Sequence, residues 1–242
     1  MGPIDVIEDE MRQPSIFKDE SKLSIDYIPP ILPHRENELR TLTRMFREVL
    51  SKPGSMAVRV VITGKIGTGK TALTKLFGSK VEKYARERGI KLSYIHVNCR
   101  LERTEYLILR SIVSRFVPNL PGRGLSPEEL FKILMFKLDQ EDLNLIITLD
   151  EADFLIRSSS SDLIYKLTRA VDDRLNPKQR ISLIFVVRDT EYKYLLDSST
   201  LSTLQHNLIR LNKYSYKELL DIIKARVEGA FFEGVVGEEA MK

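Results

Sequence analysis

Apolar positions along this chain change their period several times. From about Arg35 to Leu50 they recur at helical spacing, as Leu39, Leu42, Phe46 and Val49. Lys52-Pro53-Gly54-Ser55 breaks that pattern. The run Val58-Arg59-Val60-Val61-Ile62-Thr63 then reads as a strand. Beyond it the chain alternates. Strands are predicted over 57–63, 92–98, 144–149, 181–187 and 207–211, and helices over 70–88, 103–117, 127–139, 161–175 and 215–232. Strands separated by helices of this length imply an α/β fold, a five-stranded parallel sheet covered on both faces. Leu145-Ile146-Ile147-Thr148-Leu149 and Leu183-Ile184-Phe185-Val186-Val187 are almost wholly apolar, as doubly covered strands are.

The flanks differ. Residues 1–22 are polar, contain Pro3 and Pro14 and show no sustained period, which predicts a mobile tail. Pro29, Pro30 and Pro33 make the segment from Ile25 to Pro33 extended and stiff. Pro118 to Pro127, with Gly122 and Gly124, reads as a loop between two helices. There is no internal repeat. The tract Ser158-Ser159-Ser160-Ser161 with Asp162 is expected to cap the helix that follows.

The loop after the first strand carries the clearest chemistry. Gly64-Lys65-Ile66-Gly67-Thr68-Gly69-Lys70-Thr71 is a complete G-x-x-x-x-G-K-[ST] pattern, set between a strand and a helix that begins through Ala72. Glycines let backbone N–H groups close around phosphates, and the helix N-terminus adds partial positive charge. Lys70 would reach the β- and γ-phosphates, and the Thr71 hydroxyl would ligate Mg²⁺.

A second element follows the apolar strand 145–149, in Leu149-Asp150-Glu151-Ala152-Asp153. In a protein with such a loop, an acid ending a neighbouring strand serves the metal, and the next acid orients water. Asp150 is assigned to Mg²⁺ and Glu151 to water, with Lys70 as the third catalytic group. Taken alone, the same pair would be a solvated acidic turn. Asp153 reads as a surface or capping acid. His34, His96 and His206 lack metal-ligand spacing, and His96 reads as core or as a neighbour of Asn98.

Composition narrows the setting. Hydrophobic residues make up 43% and charged residues 30% of 242, ordinary for a soluble globular chain. No run is long and apolar enough to span a bilayer, and the N-terminus lacks the pattern of a signal peptide. The single cysteine, Cys99, rules out an internal disulfide and agrees with a reducing cytosol; it reads as a small buried residue. A net charge of +4 only weakly favours nucleic acid. Its distribution says more, because Lys91 to Arg123 holds Arg100, Arg103, Arg110, Arg115 and Arg123 against Glu102 and Glu105, while residues 1–20 are acid-rich.

Together these segments resemble a family. Ile16-Phe17-Lys18-Asp19-Glu20 and Tyr27-Ile28-Pro29-Pro30-Ile31-Leu32-Pro33-His34-Arg35-Glu36 are similar to the opening of archaeal origin-recognition/cell-division-control initiators, ORC-type replication proteins of the AAA+ class. The glycine loop, Val97-Asn98-Cys99, Leu149-Asp150-Glu151-Ala152-Asp153 and the late segment Tyr214 to Phe232 match in the same order. The resemblance implies an αβα AAA+ domain over 23–212 and the start of a helical lid over 213–242. It implies ATP or ADP with Mg²⁺, gripped by the loop residues 64–72. Ile28, Leu32, Pro33 and Arg35 would border the base, and Tyr214 and Arg226 would approach from the lid. It also implies origin DNA, other ORC-type initiators and the MCM replicative helicase as partners, in a cytoplasmic, nucleoid-associated setting without membrane. The stretch Thr104 to Leu138 aligns with the family's DNA-touching insertion, so Arg110, Arg115 and Arg123 become candidate phosphate contacts; the same arginines would also suit a solvated helix face.

Three departures qualify that expectation. Arg188 stands in Val187-Arg188-Asp189 where the family has an asparagine that senses the γ-phosphate. Leu196 to Ser202 lacks the arginine expected to act on a neighbour's ATP. The chain ends at Lys242, early in the lid and before any winged-helix domain, as a fragment or a short paralogue would. The expectation is an ATP-binding replication initiator that recognises origin DNA, regulates helicase loading and turns ATP over slowly. Two alternatives stand beside it: a non-hydrolysing, nucleotide-held regulator, or an unrelated AAA+ NTPase such as a transposition helper.

Overall fold

The computed structural model describes residues 3–12, 15–24, 26–122, 124–157, 161–168, 178–188, 201, 204 and 207–241. Their contacts divide the chain into two compact units, residues 35–213 and residues 1–34 with 214–242. The strands are β1 (Arg59–Thr63), β2 (Leu92–Asn98), β3 (Asn144–Asp150), β4 (Ile181–Val187) and β5 (Leu208–Arg210). The helices are α1 (Pro3–Met11), α2 (Glu36–Met45), α3 (Arg47–Ser51), α4 (Lys70–Glu87) and α5 (Glu105–Val113). They continue as α6 (Pro127–Glu141), α7 (Asp153–Arg157), α8 (Ser161–Thr168) and α9 (Tyr216–Ala230).

All five strands belong to the unit of residues 35–213. They pair in parallel in the order β2-β3-β4-β1-β5. One line of partners crosses the whole sheet: Val97, Leu149, Phe185, Val61 and Leu208. This common register makes the chain leave every strand at the same edge. In open α/β sheets that edge is where ligands bind.

Alternation along β3 separates two layers. Leu145, Ile147 and Leu149 join one buried cluster with Ile108, Ile112, Leu134 and Leu163, which come from α5, α6 and α8. Thr148 and Asp150 point to the other side, toward α4. There the Tyr94 hydroxyl donates to Thr74 O of α4 at 2.8 Å and lies 2.8 Å from Thr148 Oγ1. The Tyr94 ring lies against Gly78, where a Cβ would come within 2.0 Å of it. Only glycine lets helix and strand approach so closely.

Helix boundaries follow local chemistry. The Thr104 side chain caps α5, and a reciprocal Ser126–Glu129 capping box with Pro127 starts α6. Asp142 ends α6 at φ 54, a conformation that Asp tolerates. The helix expected from 35 to 50 is interrupted at Phe46, whose fully buried ring meets Phe77 of α4 at 5.1 Å. The helix expected over 103–117 is shorter, as α5, because its last residues continue as turns. The helix expected to 175 is seen to Thr168, and its remainder lies outside the described residues.

The other unit ties the two ends of the chain together. Phe17 forms an antiparallel bridge with Phe231, their rings 4.8 Å apart, and Lys18 N donates to Ala230 O at 2.8 Å. His34, at φ 63, lies 2.9 Å from the Asp221 carboxylate of α9. A Ser215–Glu218 capping box starts α9. Among the described residues of the stretch expected to be a tail, Pro3–Met11 forms a helix, and a 3₁₀ turn spans Glu20–Leu23. The turn has a local cause, since the Asp19 side chain accepts from Ser21 N.

Candidate nucleotide-binding site

The glycine loop spans the end of β1 and the start of α4, at the shared sheet edge. Gly67 and Gly69 adopt φ values of 79 and 83, which residues with a Cβ avoid, and Gly69 is the N-cap of α4. Thr68 is buried, and its hydroxyl donates to Lys65 O at 2.8 Å. Arg35 braces the loop from behind. It is 5% exposed, its Nε donates to Thr68 O at 3.1 Å, and its Nη2 donates to Asn212 O at 2.7 Å. Its guanidinium thus supports the loop backbone, a role that sequence reading did not assign to it.

Lys70 Nζ lies inside the loop, donating to Gly64 O at 2.6 Å and Lys65 O at 2.9 Å. Burial lowers its ammonium below the ordinary value, and Asp150 and Asp153 oppose that shift. Thr71 donates to Asp150 Oδ2 at 2.7 Å. Asp150 is 1% exposed. Burial alone would raise its carboxyl, but hydrogen bonds from His96 and Thr71 outweigh this and hold it below the usual carboxylate range. A buried carboxylate kept ionised beside a threonine hydroxyl is a hard-oxygen pair suited to a small divalent cation. Residues at loop position eight and at the end of a strand two places away in the sheet are thus brought within hydrogen-bonding distance.

Glu151 follows in a left-handed conformation, φ 51, which is costly for a residue with a side chain. Its backbone N donates to Asp150 Oδ1 at 2.9 Å. Its Oε2 is buried without a hydrogen-bond partner among the described residues, while Oε1 receives Arg188 Nη2 at 3.4 Å. Arg188 begins just past β4, and its backbone N donates to Asp153 Oδ2 at 2.9 Å. The residue that departs from the asparagine of the family pattern therefore lies on the carboxylate assigned to water. Asp153, read from sequence as a surface or capping acid, fixes the backbone that carries it. Phe154 lies beneath two guanidiniums, Arg188 at 5.3 Å and Arg100 at 5.6 Å from its ring centre.

A polar chain behind the loop was not singled out from sequence. His96 Nε2 lies 3.2 Å from Asp150 Oδ2, and His96 Nδ1 lies 3.3 Å from the Tyr94 hydroxyl. The clue was the alternation along β2, where Tyr94, His96 and Asn98 are polar while Ile95, Val97 and, just past the strand, Cys99 are apolar. On a doubly covered strand, three polar residues on one face must meet partners.

The remaining expected residues stand on other parts of the chain. Ile28, Leu32, Pro33, Tyr214 and Arg226 belong to the unit of residues 1–34 and 214–242, where Arg226 Nη1 donates to Ser24 O at 3.4 Å. Ile66 projects from the loop, and Ala72 is half-buried in α4. Arg110 and Arg115 are exposed on and just after α5. Arg123 and His206 lie outside the described residues, as does most of the stretch from Leu196 to Ser202. No described helix is long and apolar enough to cross a membrane.

Comparison with known proteins agrees with this geometry. An AAA domain family profile matches residues 57–195. The chain is 41% identical over 240 residues to ORC1-type DNA replication protein 2 of Sulfurisphaera tokodaii, covering 98% of this chain and 57% of that protein. Its fold is similar to the Aeropyrum pernix ORC1 protein solved in complex with DNA, with a TM-score of 0.83 and 32% identity over 94% of this chain and 58% of that one. It is also similar to the ADP form of the Aeropyrum pernix ORC2 protein, with a TM-score of 0.84 and 25% identity over 92% of this chain and 60% of that one. The chain thus spans somewhat more than half the length of these relatives. The glycine loop, the acidic end of β3, the parallel sheet and similarity along almost the whole chain lead to one conclusion: the chain belongs to the AAA domain family, in its ORC1-type branch.

Proposed function

We propose that this chain is the ATP-binding part of an ORC-type replication initiator, built to hold nucleotide and to hydrolyse it slowly. One observation carries the reading: the Arg188 guanidinium rests on the Glu151 carboxylate, beside an intact Lys70 loop and a Thr71–Asp150 pair. In this reading residues 64–72 cradle the phosphates, and Lys70 neutralises the β- and γ-oxygens. Thr71 and Asp150 hold Mg²⁺, which when bound neutralises charge developing on the phosphates. Glu151 would draw a proton from the attacking water, but the Arg188 guanidinium occupies its Oε1 and competes with water for that place. Ile28, Leu32, Pro33, Tyr214 and Arg226 are nucleotide contacts by resemblance alone, and Arg35, also expected there, serves the site through the loop backbone that it holds. If the Arg188–Glu151 pair persists with ATP bound, the alternative of a non-hydrolysing regulator follows from the same geometry.

The nucleotide state would control binding to origin DNA, assembly with other ORC-type initiators and loading of the MCM helicase, in the cytoplasm at the nucleoid. Support comes from the relatives' names, from the ORC1 relative solved with DNA and from exposed Arg110 and Arg115. Arg123 joins them by resemblance alone. The transposition-helper alternative loses ground to similarity with ORC1-type proteins over 98% of the chain.

The test is to denature the purified protein, identify any released nucleotide, and compare single-turnover ATP hydrolysis with that of Lys70→Ala. Retained ADP or Lys70-dependent turnover is expected. Protein without bound nucleotide and without affinity for ATP would overturn the proposal.

A further inference from the structure

A groove away from the nucleotide loop runs between α2–α3 and α4, with a cavity of about 590 Å³. Half-buried Leu39 and Leu50 give it an apolar floor over the buried side chains of Phe77 and Val81. Four cations stand along it: Arg40, Arg44, Arg47 and Lys80. No acid lines the groove, and among the described residues none of these four cations makes an ion pair. Of the acids on the same helices, Glu38 pairs with Arg35 at 3.2 Å, Glu48 with Lys52 at 3.4 Å and Glu87 with Arg88 at 3.9 Å, Glu82 accepts from Tyr94 N at 2.9 Å, and exposed Glu36 at the start of α2 does not line the groove. Four like charges over an apolar floor repel one another and favour an anionic occupant. The chain as a whole has a net charge of only +4, so this is a local concentration of charge.

We infer that the groove is a docking site for an acidic amphipathic helix of another polypeptide. The α2–α3 pair forms one wall and α4 the other, and the same spacing is found on both sides. Arg40, Arg44 and Arg47 follow at steps of four and three on α2 and α3, while Phe77, Val81 and Tyr84 do so on α4. An incoming helix with apolar residues at i, i+3, i+4 and i+7 covers such a floor, and its flanking carboxylates meet the guanidiniums. Charge complementarity fixes the sign of the occupant, and the apolar floor fixes its class. A nucleic-acid backbone would satisfy the arginines but leave half-buried Leu39 and Leu50 and the exposed Tyr84 ring uncovered, whereas an amphipathic peptide does both.

The test uses the full chain and fluorescence anisotropy of a labelled 16-residue peptide, designed with leucines on one helical face and glutamates on the rest. Saturable binding is expected, weakened at least about tenfold by the double change Arg40→Glu/Arg44→Glu. The double change Lys217→Glu/Lys224→Glu, on exposed cations of α9, alters net charge equally and should leave binding intact. Thermal melts establish that both variants fold. If the first does not, two peptide twins on the unaltered chain decide the matter. A Glu→Lys twin should not bind, and a Leu→Ser twin of unchanged charge should bind at least about tenfold more weakly. Equal binding of the Leu→Ser twin, or loss of duplex DNA binding but not peptide binding in Arg40→Glu/Arg44→Glu, would overturn the inference, the latter in favour of nucleic acid.

Discussion

Replacing Arg188 with asparagine should make the nucleotide site hydrolyse ATP faster. The Arg188 and Glu151 side chains meet at 3.4 Å and are 36% and 28% exposed. At that separation an effective dielectric of about 20 would give an attraction of roughly 4–5 kcal/mol. Solvent screening and the ordering of two long side chains reduce the net value to about 1 kcal/mol for a pair this exposed. Freeing the Glu151 carboxylate from a restraint of that size, so that it can turn to the water, is worth about fivefold in rate. The assay is single-turnover hydrolysis at saturating ATP and Mg²⁺, with affinity measured separately on a fluorescent nucleotide so that binding and chemistry are not confused. Arg188→Asn should give about a fivefold gain, and adding Glu151→Gln should remove it, leaving a rate at least about a hundredfold below that of Arg188→Asn. A slower Arg188→Asn would refute the reasoning, because Arg188 would then stabilise charge in the reaction instead of restraining the base.

Other consequences concern the frame of the site. Gly78→Ala places a Cβ 2.0 Å from the Tyr94 ring and strains both Tyr94 hydroxyl contacts, so it should destabilise the chain by about 2–4 kcal/mol, read from a urea melt; an unchanged midpoint would contradict the packing. Lys178 and Arg180 hold the Asp142 carboxyl down at about 2, so its stabilising effect is present above the unfolded value of 3.8 and is lost as pH falls toward 2. Asp142→Asn keeps the left-handed backbone and should flatten the fall in stability between about pH 4 and pH 2; identical pH profiles for the two proteins would show that the pair contributes nothing. Burial pushes the Cys99 thiol up to about 12, and a disulfide-exchange reagent should label it only after unfolding. Rapid labelling of the native chain would show that the end of β2 opens.

The glycine loop, the order of strands and helices and the pairing of Asp150 with Glu151 were legible in sequence because each rests on local chemistry. Glycines within residues 64–71 and runs of apolar residues act over a few positions, so their consequences can be read without the fold. The strand spans 92–98 and 181–187 came out as expected for this reason. Phe46 was harder, since its break in the first helix goes with a ring contact to Phe77, a distant residue.

The polar chain from Tyr94 through His96 to Asp150 depends on strand order, which places β2 beside β3, and on Gly78, which admits the tyrosine ring. Sequence showed three alternating polar residues but not their partners. It marked Arg188 as a departure, but only parallel register brings the end of β4 beside the turn after β3 and sets a guanidinium on Glu151. The four cations of the groove come from helices separated by the first strand and the glycine loop, and their lack of acids is a property of the assembled surface. Elements are chosen by short-range pattern and backbone preference; which charges meet is decided where the sheet and its helices pack.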